Sequence, residues 1–172
     1  MKKSLAERET PVRVYLDHNS TSPLRPEVRA RWLAVADEFL GNPSSLHTSG
    51  RRARAVVDDS RAAVAAALGV HEEEIFFTSG ATEANNLALF GVLAAAGAEA
   101  RLVTTAVEHS SVLEPARALA AAGRAVTIVP VDGQGLPDPA AVVGAAAEGA
   151  PGLVSVAAAN NETGAVPDLA AI

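Results

Sequence analysis

Between residues 75 and 157, short apolar runs alternate with Ala-rich segments, and this alternation restricts the fold more than any other feature of the chain. Extended runs are predicted at residues 75–78, 102–105, 125–129 and 153–157, with helices at about 81–96, 110–122 and 138–148 between them. A strand, an amphipathic helix and a second strand make a βαβ unit, whose crossover sets the strands parallel and covers the sheet with helices. The predicted fold is therefore α/β, a mostly parallel doubly wound sheet with flanking helices. At 172 residues and 49% hydrophobic content the chain is long and apolar enough to bury such a core.

The segment before the alternation reads differently. Arg13-Val14-Tyr15-Leu16 is a short extended run, and residues 17–26 are polar and Pro-punctuated. Pro26 suits the first turn of a helix reaching Phe39, with Val28, Trp32, Leu33, Val35, Ala36 and Leu40 on its apolar side. Gly41-Asn42-Pro43-Ser44-Ser45 breaks that helix, and a second runs from about Gly50 to Leu68, ended by Gly69. The organisation expected is a charged tail over residues 1–12, an N-terminal segment over 13–50 and a sheet-bearing part over 51–172.

Charge and composition exclude several functions. The net charge is −6, and the one basic cluster, Arg51-Arg52-Ala53-Arg54, reads as a solvated helix face. Binding a nucleic-acid backbone needs several clustered cations, so no nucleic-acid partner is expected. No signal peptide and no membrane span is visible, and the chain reads as cytoplasmic. There is no cysteine, which removes a disulfide framework, a thiolate metal site and any thiol nucleophile within these residues; no metal site is predicted.

In a doubly wound sheet, ligands bind outside the carboxyl ends of the strands. Three polar clusters fall there. Ser79-Gly80-Ala81-Thr82 follows the run at 75–78, Glu108-His109-Ser110-Ser111 the run at 102–105, and Asn160-Asn161-Glu162-Thr163-Gly164 the run at 153–157. The first cluster has the build of an anion cradle, because a helix N-terminus carries unpaired N–H groups and about half a positive charge. Gly80 and Ala81 allow close approach, and Ser79 and Thr82 offer hydroxyl donors. Taken singly, each cluster has a plainer reading: an N-capped helix holding nothing, a capping histidine, a polar turn. Together on one sheet edge they would supply a phosphate cradle, a flat ring able to stack or titrate near neutral pH, and an amide.

Five motifs occur in register. Tyr15-Leu16-Asp17-His18-Asn19-Ser20-Thr21-Ser22-Pro23, Gly41-Asn42-Pro43-Ser44-Ser45, Phe77-Thr78-Ser79-Gly80-Ala81-Thr82-Glu83, Glu108-His109 and Asn160-Asn161-Glu162-Thr163-Gly164 resemble those of the NifS/IscS-like cysteine desulfurases. These are class V members of the fold-type-I pyridoxal-phosphate enzymes, and the resemblance covers roughly the first half of one. It implies an incomplete fold-type-I large domain with pyridoxal 5'-phosphate as cofactor. Ala81 and Thr82 would hold the cofactor phosphate, and His109 would stack on the pyridine ring and move protons. Asn161 would bond the ring hydroxyl and approach the substrate carboxylate, while Asn19 and the loop at 41–45 would line the substrate mouth or a dimer-facing wall. Thr163 stands where many relatives carry an apolar residue. The implied substrate is L-cysteine, with a sulfur-acceptor protein and a homodimer as partners.

Such chemistry needs a Schiff-base lysine beside the cradle. The only lysines are Lys2 and Lys3, in the charged tail, and neither suits a buried, desolvated amine. The 172 residues alone are therefore expected to be inactive. In the family's sheet order, three further strands would separate the run at 75–78 from the others, placing it roughly 19 Å from its nearest partner at about 4.8 Å per strand. The chain by itself is accordingly expected not to hold the full native arrangement. Three other readings stand beside this one. A different class V enzyme, such as a selenocysteine lyase or an aminotransferase, shares these motifs. A stand-alone phosphate- or nucleotide-binding α/β module, or a non-catalytic partner chain, would need no lysine.

Overall fold

The computed structural model describes residues 14–149 and 151–172. They form two compact units that part between Ile75 and Phe76.

The first unit is helical. Helix α1 (Pro26–Glu38) begins on the proline expected at its first turn, and helix α2 (Thr48–Leu68) ends on Gly69, whose φ of 70° is the left-handed conformation that closes a helix. The His47 ring accepts the Gly50 N–H at 3.3 Å and caps α2. Gly50 is buried with its α-carbon against the Ser45 carbonyl, where any side chain would collide. The Arg51-Arg52-Ala53-Arg54 run is a solvated face laced with ion pairs, Arg54 to Asp58 at 3.0 Å and Arg52 to Glu38 at 3.6 Å. The apolar side expected for α1 is not buried: no residue of that helix is, and Trp32 is 65% exposed.

The second unit carries the sheet. After helix α3 (Ala81–Ala96) come strand β1 (Arg101–Thr105), helix α4 (Ser110–Ala121), strand β2 (Val126–Val129), helix α5 (Pro139–Ala147) and strand β3 (Pro151–Ser155). The strands are parallel in the order β2-β1-β3, so β1 is central. Because side chains alternate along a strand, Leu102 and Val103 face opposite sides. Leu102 packs with Leu89 and Leu93 of α3 and Val112, Ala116 and Leu119 of α4, and Val103 with Val129 and with Val142 and Ala145 of α5. Helices on both faces make this the doubly wound arrangement predicted. A register irregularity at Arg101/Leu102 brings Gly152 so close to Ala100 and Leu93 that a β-carbon there would sit 2.8 Å and 2.9 Å from their side chains.

One predicted strand does not form. Residues 75–78 do not join the sheet, which among the described residues has three strands. Phe76 and Phe77 are exposed. The physical reason is the one the sheet order suggested: an apolar run becomes a buried strand only when neighbours on both sides take its hydrogen bonds and cover its faces. Residues 14–16 are likewise outside any strand, and Arg13 lies outside the described residues.

Candidate functional site

The site is built from three connections, two of them at the carboxyl edge of the sheet. The first is the turn into α3. Gly80 is the N-cap and supplies no side-chain hydrogen bond, so the opening N–H groups of the helix, those of Ala81 and Thr82 among them, are left facing outward. Nothing lies within 4 Å of where a Gly80 β-carbon would be, which leaves room above the turn. The Ser79 hydroxyl, expected as a ligand donor, is engaged instead: Glu83 Oε2 accepts both the Ser79 N–H at 2.7 Å and the Ser79 Oγ–H at 2.6 Å. The reason is spacing. A carboxylate in the first turn reaches back to the residue before the cap, a variant of the capping box. Those two bonds, the hydroxyl's first, hold the Glu83 carboxyl below its ordinary range. Thr82 remains exposed at the mouth of an open groove of about 440 Å³ between α3 and α4.

The second connection joins β1 to α4. His109 is both a cap and an exposed ring. Its Nδ1 accepts the Ser111 N–H at 3.1 Å, closing the first turn of α4, and lies 2.8 Å from the Ser111 hydroxyl. Ser111 Oγ is in turn 2.8 Å from the Asn85 side-chain nitrogen on α3. The cradle helix and the histidine loop are thereby tied across 26 residues of sequence.

The third connection follows β3. Asn160 organises it: its Oδ1 accepts the Glu162 N–H at 2.9 Å, the Thr163 N–H at 2.8 Å and the Thr163 hydroxyl at 3.1 Å, while its Nδ2 donates to the Val107 carbonyl at 2.8 Å. Asn161 is thus held exposed on a loop fastened to the one that carries His109. Thr163 also accepts the Ala165 N–H at 3.2 Å, which gives its hydroxyl a local use in the turn. Beneath both loops lies Glu108, 8% exposed, whose Oε1 accepts the Thr105 hydroxyl at 2.6 Å and the Ala157 N–H at 2.9 Å. Glu108 clamps the ends of β1 and β3 together.

Ala81, Thr82, His109 and Asn161 therefore sit on three loops cross-linked within the second unit, whereas Asn19 belongs to the first unit, in the turn around Asp17. Reading the sequence did not assign roles to Asn85, Ser111, Glu108 or Asn160. Only Asn160 carried a usable signal, since an Asn two residues before a polar N–H commonly builds an Asx turn. The cradle suits a phosphate group, having outward N–H groups, an exposed hydroxyl and open space. The described residues contain no lysine to hold an aldehyde, and no group of three or more His, Asp or Glu among them could bind a metal.

The chain is similar to known proteins over most of its length. The cysteine desulfurase IscS of Dictyoglomus turgidum is 41% identical over 154 residues, covering 89% of this chain and 39% of that protein. Cysteine desulfurase 2 of Trichormus variabilis is 43% identical over 153 residues, 89% of this chain and 38% of the relative. The chain thus spans about two fifths of the length of these relatives. A solved NifS-like protein superposes with a TM-score of 0.84 at 37% identity, over 91% of this chain and 43% of that one. A structure of SspA in complex with cysteine does so with 0.81 at 29%, over 92% and 46%. The family description for aminotransferase class V matches residues 14–172, and the chain belongs to that family.

Proposed function

We propose that this chain supplies the phosphate-binding and ring-stacking part of a pyridoxal-phosphate-dependent cysteine desulfurase. That enzyme takes sulfur from L-cysteine to a cysteine thiol, leaving L-alanine and a persulfide. The observation that carries the reading is the joining of an uncapped helix start, an exposed histidine and an exposed asparagine through the Asn85–Ser111 and Asn160–Val107 bonds. When bound, pyridoxal phosphate supplies an electron sink for chemistry at the amino acid's α-carbon. The Ala81 and Thr82 N–H groups and the Thr82 hydroxyl bind the phosphate dianion where the helix field favours it. His109 stacks on the pyridine ring and is the catalytic proton carrier. Asn161 donates to the ring hydroxyl oxygen and meets the substrate carboxylate, and Asn19 contributes to the substrate mouth. The lysine and the persulfide-forming cysteine are not among these residues, since cysteine is absent and lysine occurs only at positions 2 and 3. A sulfur-acceptor protein, a homodimer and a cytoplasmic setting belong to the same proposal. It is compatible with the described residues having no helix long and apolar enough to cross a membrane.

The test is a titration of the chain with pyridoxal phosphate followed by absorbance. Saturable binding that inorganic phosphate competes away, that pyridoxal without its phosphate does not reproduce, and that Thr82→Ala weakens about tenfold is the expected result. One charge-assisted hydrogen bond at roughly 1.5 kcal/mol accounts for that factor. No saturable change with pyridoxal phosphate, together with a melting temperature raised by a nucleotide, would sink the proposal in favour of a nucleotide-binding module. L-cysteine added to the 172-residue chain alone should give no alanine.

A further inference from the structure

The contacts around His109 have a polarity that the distances alone do not state. A ring nitrogen, a hydroxyl and a side-chain amide can each be donor or acceptor, so the Asn85–Ser111–His109 series could run in either direction. One member of the cluster has no such freedom. The Ser111 backbone N–H, 3.1 Å from Nδ1, is only ever a donor, so Nδ1 must present a lone pair to it. With Nδ1 fixed as acceptor, the Ser111 hydroxyl at 2.8 Å has to turn its proton toward the ring. Ser111 Oγ then has its lone pairs directed away from the ring, where the Asn85 amide donates at 2.8 Å. Ser111 is 7% exposed and Asn85 half-buried, so water does not readily replace either group.

We propose that Asn85 and Ser111 are positioning residues for His109: the Ser111 backbone N–H sets Nδ1 as an acceptor, and the Ser111 hydroxyl, oriented by Asn85, shares that lone pair and keeps the ring in its cap, so that the neutral ring carries its proton on Nε2 and offers a ligand that N–H alone. Among the described residues Nε2 has no partner, and the ring is exposed. That the ligand is pyridoxal phosphate rests on the function proposed above; the tautomer does not. The consequence for that function is that a ring held by a buried serine and an amide from the cradle helix cannot turn over without breaking its cap. The same α3 that would bind the phosphate also sets the edge His109 shows.

The experiment reads the ring nitrogens of the 15N-labelled full chain by long-range 1H–15N NMR, with His109 assigned by its loss in His109→Gln. At alkaline pH, where an imidazole is neutral, the ring should show an acceptor-type signal at Nδ1 and a protonated one at Nε2. Asn85→Asp is nearly isosteric but accepts only. It should draw the Ser111 proton to itself and turn an Oγ lone pair toward the Nδ1 lone pair, so that the ring keeps the Nε2–H form set by the backbone bond but is pushed from its cap and its Nδ1 signal shifts. Ser111→Ala should keep the backbone bond and the Nε2–H form while the ring loses order. A native ring protonated on Nδ1 overturns the proposal, and so do ring signals left unchanged by both substitutions. Pyridoxal phosphate added afterwards separates the two proposals. A His109 that does not move, with its Nε2–H pattern intact, removes the ligand and leaves the positioning roles standing.

Discussion

The two units of this chain use the same kinds of side chain over different distances. In the first, polar contacts are mostly local, and the longest, Arg52 to Glu38 and Arg61 to Ile75, span 14 residues. The Tyr15 hydroxyl reaches the Asp17 carbonyl, Ser44 N–H reaches the Asn42 side chain, and Arg54 reaches Asp58, all within a turn or so of chain. In the second, they bridge elements far apart in sequence. Asn85 and Ser111 are 26 residues apart, Glu108 and Ala157 49, Thr104 and Ser155 51, and Val107 and Asn160 53. The buried apolar residues divide the same way, with α1 contributing none and the strand-bearing unit holding Leu93, Leu102, Val103 and Val142 almost without exposure. A parallel sheet forces this, because neighbouring strands can only be joined through a crossover. Long crossovers then bring distant loops to one edge, and a site assembled there inherits the rigidity of the core. Contacts that close long loops should therefore matter most to stability, and local ones least.

The largest difference should come from apolar burial. Leu102→Ala empties a fully buried position shared by α3, α4 and β1, and should cost about 2–5 kcal/mol in urea unfolding. Trp32→Ala on α1, although it removes a larger side chain, should change stability by no more than roughly 0.5 kcal/mol, because that side chain is mostly in water already. Equal losses at the two positions would break the comparison.

An intermediate effect is expected at Asn160. Asn160→Ala removes an acceptor used three times within the loop and the donor that fastens the loop to Val107. The loop is partly wet and water takes over some of these bonds, so the loss should be about 1–2 kcal/mol. Asn160→Asp keeps the three accepted bonds and sets an oxygen against the Val107 carbonyl, so it isolates the long-range bond from the local turn. If the comparison is right, the aspartate costs nearly as much as the alanine. The urea midpoints of the two variants decide it.

Much of this was readable in the residues, and what was not has a common cause. Three of the five predicted extended runs form strands and the five predicted helices are all present, as apolar spacing suggested, and Gly69 and Pro26 mark helix ends through backbone conformations that few other residues supply so readily. The run at 75–78 has the same local signal as its neighbours, yet is not in the sheet, because whether an apolar run becomes a strand depends on partners that its own residues do not encode. The site shows the same limit. Thr82, His109 and Asn161 stand out by chemical type. Glu108 does not, and the turn signal of Asn160 says nothing of its bond to Val107, since these contacts lie about fifty residues away.

The smallest effect belongs to a local bond in the unit that also carries the long-range ones. Glu83 takes both Ser79 donors four residues back, and those bonds, the hydroxyl's first, hold its carboxyl below the ordinary range. A carboxylate whose folded value is depressed contributes stability that is fully present above its unfolded value and is lost as the pH falls through the folded one. Glu83→Gln can still accept from Ser79, but without the charge that makes those bonds strong or that suits a helix N-terminus. Near neutral pH the substitution should therefore lower the midpoint slightly. As the pH falls through the depressed value of the folded carboxyl, wild type and variant should converge, because the wild-type group then loses its charge as well. The group is exposed, so salt should shrink the difference. A gap that persists at low pH, or rivals that of Asn160→Ala, would mean that this local contact supports more than its own turn. The cradle would then be held by Glu83 rather than by the helix packed beneath it.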